Sequence, residues 1–230
     1  MFNFDTDLFN IKEKEQLTIG NSYESNSKLK WILADKYKTI TDTNTLDFWI
    51  VNNWGRIRGF KPIERNINKV AKFKKELEER RLTTNSFTTI SSLSKIASFI
   101  NPDKFVIYDS KVIYTLNWLI LTCENQNGLT QKYFPMPSGR NSIIVNFDMN
   151  TIVNLSHINK HSNKTGLYIP KQKAYFAFCD FVKTTVKRVY GKNAHPYQLE
   201  MLLFLLADKE IFEEIKKIKI TPKWNQKTNK

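Results

Sequence analysis

Residues 94–112, with the sequence SKIASFINPDKFVIYDSKV, contain two predicted helices and the short connector between them. In the first helix, apolar side chains recur on one face at i, i+3, i+4 and i+7: Leu93, Ile96, Ala97 and Ile100. Lys95 lies off this face, and the helix is expected to end before Pro102, because the residue preceding a proline disfavours helical geometry. Asp109 stands where the second helix begins, in the position of an N-cap.

The helical period continues through most of the remaining chain, so the sequence predicts an all-α fold. Further predicted helices cover residues 27–38, residues 63–79, residues 171–190 and residues 196–206. Residues 199–206 are almost continuously apolar and are expected to be central in the core. Asp208 is expected to cap a final helix, and residues 141–147 form the one plausible strand.

A chain of 230 residues can bury a sizeable core as one large domain or as two closely packed lobes, and a single compact domain over residues 1–230 is favoured. Composition sets three parts of it apart: an N-terminal polar segment at residues 1–25, a loop-rich insertion at residues 122–170 and a basic tail at residues 221–230. Insertions of this kind often carry substrate selectivity.

The charge balance favours a polyanionic partner. Lys and Arg number 36 against 22 Asp and Glu, which gives a formal net charge of +14. Nucleic acid is the first candidate, since a positive field attracts phosphates. The alternative is that many of these lysines form ordinary solvated helix faces.

Other classes of protein are disfavoured by the sequence. Cys123 and Cys179 are far apart and have no CxxC or Cys/His cluster, so neither a disulfide framework nor a metal or iron–sulfur site is predicted, and no cofactor is expected. The longest apolar runs are too short to cross a bilayer, and the first residues do not resemble a signal peptide. A cytoplasmic, monomeric protein is therefore expected.

Arginines and tryptophans outside residues 94–112 are further candidates for binding. Arg56 and Arg58 lie between two glycines, which suggests an exposed, adaptable contact to phosphate, and Arg140 has a similar setting. Trp49 and Trp54 could form a platform for base stacking or a wedge into a duplex, although packing in the core also accounts for them.

At Lys95 and Asp109 the sequence resembles the helix-hairpin-helix DNA glycosylase superfamily, in particular its 8-oxoguanine DNA glycosylase-like branch. Ser94-Lys95-Ile96-Ala97 resembles the family element in which a catalytic lysine lies near the start of the helix after a hairpin. Tyr108-Asp109-Ser110-Lys111-Val112 resembles the element in which an aspartate opens the next helix. The chain looks most similar to small bacterial glycosylase-like proteins, some of which excise modified bases from phage DNA.

The resemblance implies a compact helical glycosylase-like domain that acts on double-stranded DNA and releases a damaged or modified base, plausibly in defence against phage. Hydroxyl groups near the hairpin, together with a helix N-terminus, would hold a DNA phosphate. These hydroxyl groups belong to Ser91, Ser92 and Ser94. Tyr108, Trp49 and Trp54 would form the base pocket or the wedge.

In the implied mechanism, Asp109 stabilises the positive charge that develops on the sugar as the glycosidic bond stretches. Lys95 either attacks the same carbon to form a Schiff base or positions the substrate while water attacks. Two simpler interpretations remain open: Asp109 is only a helix cap, and Lys95 is an ordinary solvated lysine. The alternatives at the level of function are an inactive DNA-binding or sensor protein on the same fold, and an interaction module whose charge is incidental.

Overall fold

The computed structural model describes residues 8–127, 132–138, 144–157 and 166–218, and most of these residues are helical. Within these ranges there is no β-strand, only an isolated bridge between Tyr133 and Tyr168. The all-α prediction is therefore confirmed. Arg140 and the predicted basic tail lie outside the described residues.

The described part of the chain contains eleven α-helices. They are α1 (Ile11–Thr18), α2 (Ser22–Thr39), α3 (Asn44–Trp49), α4 (Glu64–Glu79), α5 (Thr84–Phe87), α6 (Ile90–Ile100), α7 (Ser110–Asn127), α8 (Met149–Ser156), α9 (Lys171–Tyr190), α10 (Pro196–Leu206) and α11 (Phe212–Lys216). Two π-helical segments extend the helices before them, Ile50–Trp54 after α3 and Ala207–Ile211 after α10. A 3-10 turn covers Ile144–Phe147, so the predicted strand is wrong for these residues, and its first part, residues 141–143, lies outside the described residues.

Asparagine caps begin the first two helices. The side-chain oxygen of Asn10 accepts the backbone N–H of Glu13 at 2.8 Å, and the Glu13 carboxylate accepts the backbone N–H of Asn10 at the same distance. Asn21 caps α2 in a similar way, with 3.0 Å to the N–H of Glu24. Residues 1–25 were expected as a polar segment, but they include α1, whose Leu17 is buried, and the start of α2.

Helix α6 is buried on both sides. Its Leu93, Ile96 and Ala97 belong to the larger apolar cluster, with side chains of α7 and α9. Its Phe99 belongs to a smaller cluster beneath α1, α2 and α3. Because α6 lies between the two clusters, Lys95 is carried into the interior of the protein.

The predicted insertion is partly helical and is anchored to the core. Helix α7 continues to Asn127, so the first residues of the 122–170 segment belong to it. Tyr133 is buried and donates its hydroxyl hydrogen to Glu124 at 2.7 Å, and the ring of His157 contacts the same carboxylate at 3.0 Å. These polar contacts join the insertion to the end of α7.

Helix α10 differs from its prediction. Leu199 and Leu203 are buried, but a row of apolar side chains on the same helix is exposed: Leu202, Phe204 and Leu205. The helix packs against α7 and α9 through one face only, so its uniform hydrophobicity does not place all of it in the core. Asp208 caps no separate helix, because the π-helical segment joins α10 to α11 and the Asp208 carboxylate pairs with Lys111.

A buried carboxylate joins α2, α3 and α4. Asp47 accepts hydrogen bonds from Tyr37 and from Lys74, both at 2.6 Å. Burial raises the pKa of the Asp47 carboxyl, and the Lys74 ammonium opposes that rise. An unpaired charge at this place would carry the full cost of its desolvation.

We expect Asp47→Ala to lower the free energy of unfolding by about 3–5 kcal/mol, because it leaves Lys74 without its carboxylate partner. Urea denaturation measures the change. Asp35→Ala is the control, since the exposed pair of Asp35 with Lys38 should contribute less than about 1 kcal/mol. Equal effects of the two substitutions would contradict a structural role for Asp47.

Candidate active site

A cavity of about 540 Å³ opens between α2, α10 and the start of α7. We call it the Lys95 cavity. Its lining comprises Ser22, Tyr23, Asn26, Lys30, Trp54, Gly55, Arg56, Lys95, Ile107, Asp109, Glu200, Met201, Phe204 and Leu205. The two residues that the sequence suggested for catalysis, Lys95 and Asp109, thus face the same space.

Asp109 uses its two carboxylate oxygens differently. Oδ1 accepts the backbone N–H of Lys111 at 3.0 Å in the first turn of α7, which confirms the predicted cap. Oδ2 lies 3.4 Å from the Nζ atom of Lys95. One oxygen therefore holds the helix terminus, and the other faces the cavity.

Lys95 is not a solvated lysine. It is 8% exposed, and its ammonium donates to the backbone oxygen of Ser91 at 3.0 Å as well as to Asp109. Gly55 passes directly over it, since a Cβ atom on Gly55 would lie 2.8 Å from the Cδ atom of Lys95. The same Cβ atom would lie 2.8 Å from the backbone oxygen of Val51, so this position needs a glycine.

Lys30 is a second buried cation of the cavity, and the sequence analysis missed it. Its ammonium donates to the hydroxyl of Ser98 at 3.2 Å and lies 4.8 Å from the centre of the Phe99 ring. Burial lowers the pKa of Lys30, the carboxylate of Glu200 opposes this, and the charge of Lys95 adds to it. Charged groups are rarely buried in this way unless they are paired or functional.

Glu200 is the matching buried anion, and it was missed as well. One of its carboxylate oxygens accepts the backbone N–H of Ile107 at 3.2 Å. Burial raises the pKa of Glu200, while Lys30, the N–H of Ile107 and Lys95 favour its charged form. The only signal in the sequence was a single acidic residue within the apolar run Leu199–Leu206, which is too common a pattern to identify a site.

The predicted binding residues near Gly55 separate into two groups. Trp54 and Arg56 line the cavity, and the indole N–H of Trp54 donates to Asn26 at 2.8 Å. Arg56 has a φ of 55°, a left-handed conformation that non-glycine residues adopt mainly where surrounding structure enforces it. Arg58 is exposed and does not line the cavity.

Trp49 and Tyr108 were expected in the base pocket, and the structure puts them elsewhere. Trp49 packs against Phe9 in the smaller apolar cluster, with 5.1 Å between ring centres. Tyr108 is fully buried and donates its hydroxyl hydrogen to the backbone oxygen of Pro135 at 2.7 Å. In the extended connector, Ile107 and Asp109 face the cavity, so the side chain between them points into the core.

The three serines suggested as phosphate contacts are also placed differently. The hydroxyl oxygen of Ser94 accepts the backbone N–H of Tyr108 at 2.9 Å, which fixes the connector to α6. Ser92 is buried, and Ser91 contributes its backbone oxygen to Lys95. Ser94 is therefore a structural residue of the site.

Comparison of the chain with family models, with curated proteins and with solved structures finds no match. Within the described residues, no group of three or more His, Cys, Asp or Glu side chains is arranged to hold a metal ion. No helix in the same residues is long and apolar enough to cross a membrane. Function is therefore inferred from the residues of the cavity.

We expect Ser94→Ala to lower the free energy of unfolding by about 1–3 kcal/mol, because the buried N–H of Tyr108 loses its acceptor. Chemical denaturation measures this. A stability equal to that of wild type would contradict this structural role of Ser94.

Proposed function

We propose that the protein is a DNA glycosylase that hydrolyses the N-glycosidic bond of a flipped-out damaged or modified base. The observation that carries this proposal is the meeting of Lys95 and Asp109, at 3.4 Å, inside one cavity. They come from adjacent helices, in the order that the resemblance to the helix-hairpin-helix glycosylases implies. The all-α architecture is compatible with that fold.

The charges of the cavity suit a neutral, planar ligand. Lys30 and Lys95 balance Asp109 and Glu200 in the interior of the cavity, and the exposed Arg56 adds one positive charge at its edge. Its remaining surface is largely aromatic and aliphatic, from Trp54 and the side chains of α10. A nucleobase, which is uncharged and flat, fits such a lining better than a phosphate does.

Asp109 is oriented for the chemical step. As the bond from the sugar to the base stretches, its electron pair leaves with the base and positive charge grows at the anomeric carbon. The Oδ2 atom of Asp109 stabilises that charge and takes a proton from the attacking water. The hydroxyl group joins the anomeric carbon, the proton taken from water passes to the departing base, and an abasic site remains.

Lys95 supports the hydrolytic route in this arrangement. Its ammonium donates to Ser91 and to Asp109, and these contacts hold the carboxylate in place. Direct attack by Lys95 would require the amine to lose a proton and both contacts, and would yield a Schiff base and strand cleavage. We therefore favour water as the nucleophile.

DNA would reach the cavity through electrostatic attraction. The net charge of +14 draws the phosphate backbone to the protein, and the exposed Arg56 lies at the rim of the cavity. A role in defence against phage with modified DNA is part of the proposal through the family resemblance alone.

Asp109→Asn tests the proposal. Asparagine still caps α7, so folding and DNA binding should persist, whereas loss of the negative charge should slow base release by about a hundredfold or more. Abasic sites and free bases are measured after incubation with genomic DNA that carries different base modifications. Asp103→Asn, on an exposed side chain outside the cavity, is the control.

If wild-type protein binds DNA but releases no base from any of these substrates, the glycosylase assignment fails. The protein would then be the inactive DNA-binding or sensor protein that the sequence left as the alternative. Equal rates of base release by wild type and Asp109→Asn would remove Asp109 from the reaction.

We expect Glu200→Gln to change which bases are released. The amide oxygen would keep the bond to the N–H of Ile107, so the amide NH₂ would replace a carboxylate oxygen in the cavity. Bases that donate an N–H there should be released about tenfold more slowly relative to bases that accept. Base release by both proteins is compared across the same substrates, with the exposed Glu213→Gln as control. An unchanged ranking would contradict contact between Glu200 and the base.

A further inference from the structure

A second cavity, of about 570 Å³, lies between α3, the π-helical segment after it and the start of α4. We call it the Trp49 cavity. Its polar lining comes from Asn44, Thr45, Asn52 and Asn53, and the rest of its described lining is aromatic or aliphatic. None of these residues lines the Lys95 cavity. The Trp49 cavity is therefore a separate space, and its volume is in the range of sites for small molecules.

Two buried polar atoms of the Trp49 cavity have no hydrogen-bond partner among the described residues. They are the indole nitrogen of Trp49, whose residue is only 7% exposed, and the side-chain oxygen of Asn52. In the other tryptophans that the structure describes, the indole N–H donates to another side chain: Trp31, Trp54 and Trp118. A buried polar group without a partner is unfavourable, so this donor and this acceptor indicate a place where a ligand binds.

The two unpartnered groups are neighbours on one helical surface. Trp49 is the last residue of α3, and Asn52 follows three residues later in the π-helical segment Ile50–Trp54. Side chains at this spacing lie on the same face of a helix. A ligand that joins both groups must therefore accept one hydrogen bond and donate another from a single edge. A cyclic amide has such an edge, since its carbonyl group and its N–H are adjacent.

The lining also restricts the charge and the shape of the ligand. Among the described residues that line the Trp49 cavity, none carries a charge. A charged ligand would lose its hydration there without gaining an opposite charge, so a neutral molecule is favoured. Phe48 and Trp49 contribute aromatic surface, which suits a flat ring.

We propose that the Trp49 cavity binds an uncharged, planar cyclic amide. The indole N–H of Trp49 donates to the carbonyl oxygen of the ligand, and the N–H of the ligand donates to the side-chain oxygen of Asn52. Nucleobases with a carbonyl next to a ring N–H belong to this chemical class. The proposal does not depend on the proposed glycosylase function, because the two cavities share no lining residue.

The first test is a titration with uracil, followed by two-dimensional NMR of the indole N–H groups in the nitrogen-labelled protein. Trp49→Phe identifies the resonance of Trp49. Uracil should shift this resonance and leave that of Trp54, which lines the Lys95 cavity, in place. The matched ligand is 1,3-dimethyluracil, which keeps both carbonyl groups but has no N–H. It should bind about tenfold more weakly or less, because it leaves the Asn52 oxygen without a donor.

The second test removes the acceptor from the protein. Asn52→Ala should weaken uracil binding by about tenfold, which corresponds to one hydrogen bond in a closed site. Asn193→Ala is the control, on an exposed side chain outside both cavities, and should leave the affinity as in wild type. Circular dichroism checks that both variants fold.

Uridine distinguishes two sources of the same chemistry. It keeps a ring N–H between two carbonyl groups but carries a ribose, so its binding would support a nucleoside as the ligand. Binding of uracil without uridine would support a free base.

Three results would overturn the proposal. If uracil leaves the Trp49 resonance in place, the cavity holds water only. If 1,3-dimethyluracil binds as tightly as uracil, the N–H of the ligand has no role. A shift of the Trp54 resonance instead of the Trp49 resonance would place uracil in the Lys95 cavity. None of these measurements involves base release, so failure here is distinguishable from failure of the glycosylase proposal.

Discussion

The meeting of two ammonium and two carboxylate groups in one cavity, three of them buried, is the constraint on which the rest of the structure depends. Lys30, Lys95, Asp109 and Glu200 come from three helices and a connector, and each has only a few polar partners. Such groups are costly to remove from water unless their charges are balanced. The helices must therefore bring them together in register.

Contacts around the cavity hold the helices in the positions that bring the four charged groups together. Ser94 fixes the connector to α6, the N-cap of Asp109 fixes the start of α7, and the pair of Lys111 with Asp208 fixes the end of α10. Gly55 brings the chain after the first π-helical segment onto the stem of Lys95. The first π-helical segment ends at the cavity residue Trp54, and the second begins two residues after the cavity residue Leu205, which agrees with the frequent occurrence of such segments at functional sites.

Patterns in the sequence predicted the helices and caps, because these depend on residues that are close together in the chain. Helical periodicity and cap chemistry located α6, α7, α9 and α10, and gave Asp109 its position. Periodicity describes one face of a helix, however, and α6 packs on two sides, so it could not show that Lys95 is buried. Lys30 and Glu200 are distant in sequence from Lys95, and only the packing of α2 and α10 brings them to it. Tyr108 was misplaced because the connector is extended, so that neighbouring side chains point in opposite directions.

The double use of the Asp109 carboxylate affects how related sequences should be compared. Under the proposed function, an aspartate that also caps a helix would be retained for folding even in a chain that has lost the chemistry, so its presence is a poor marker of activity. Lys95 and Glu200 are different, because neither caps a helix and both carry a penalty for lying inside the protein. Under the proposed function, replacement of this buried pair by uncharged side chains would mark related chains in which natural selection for base release has ceased.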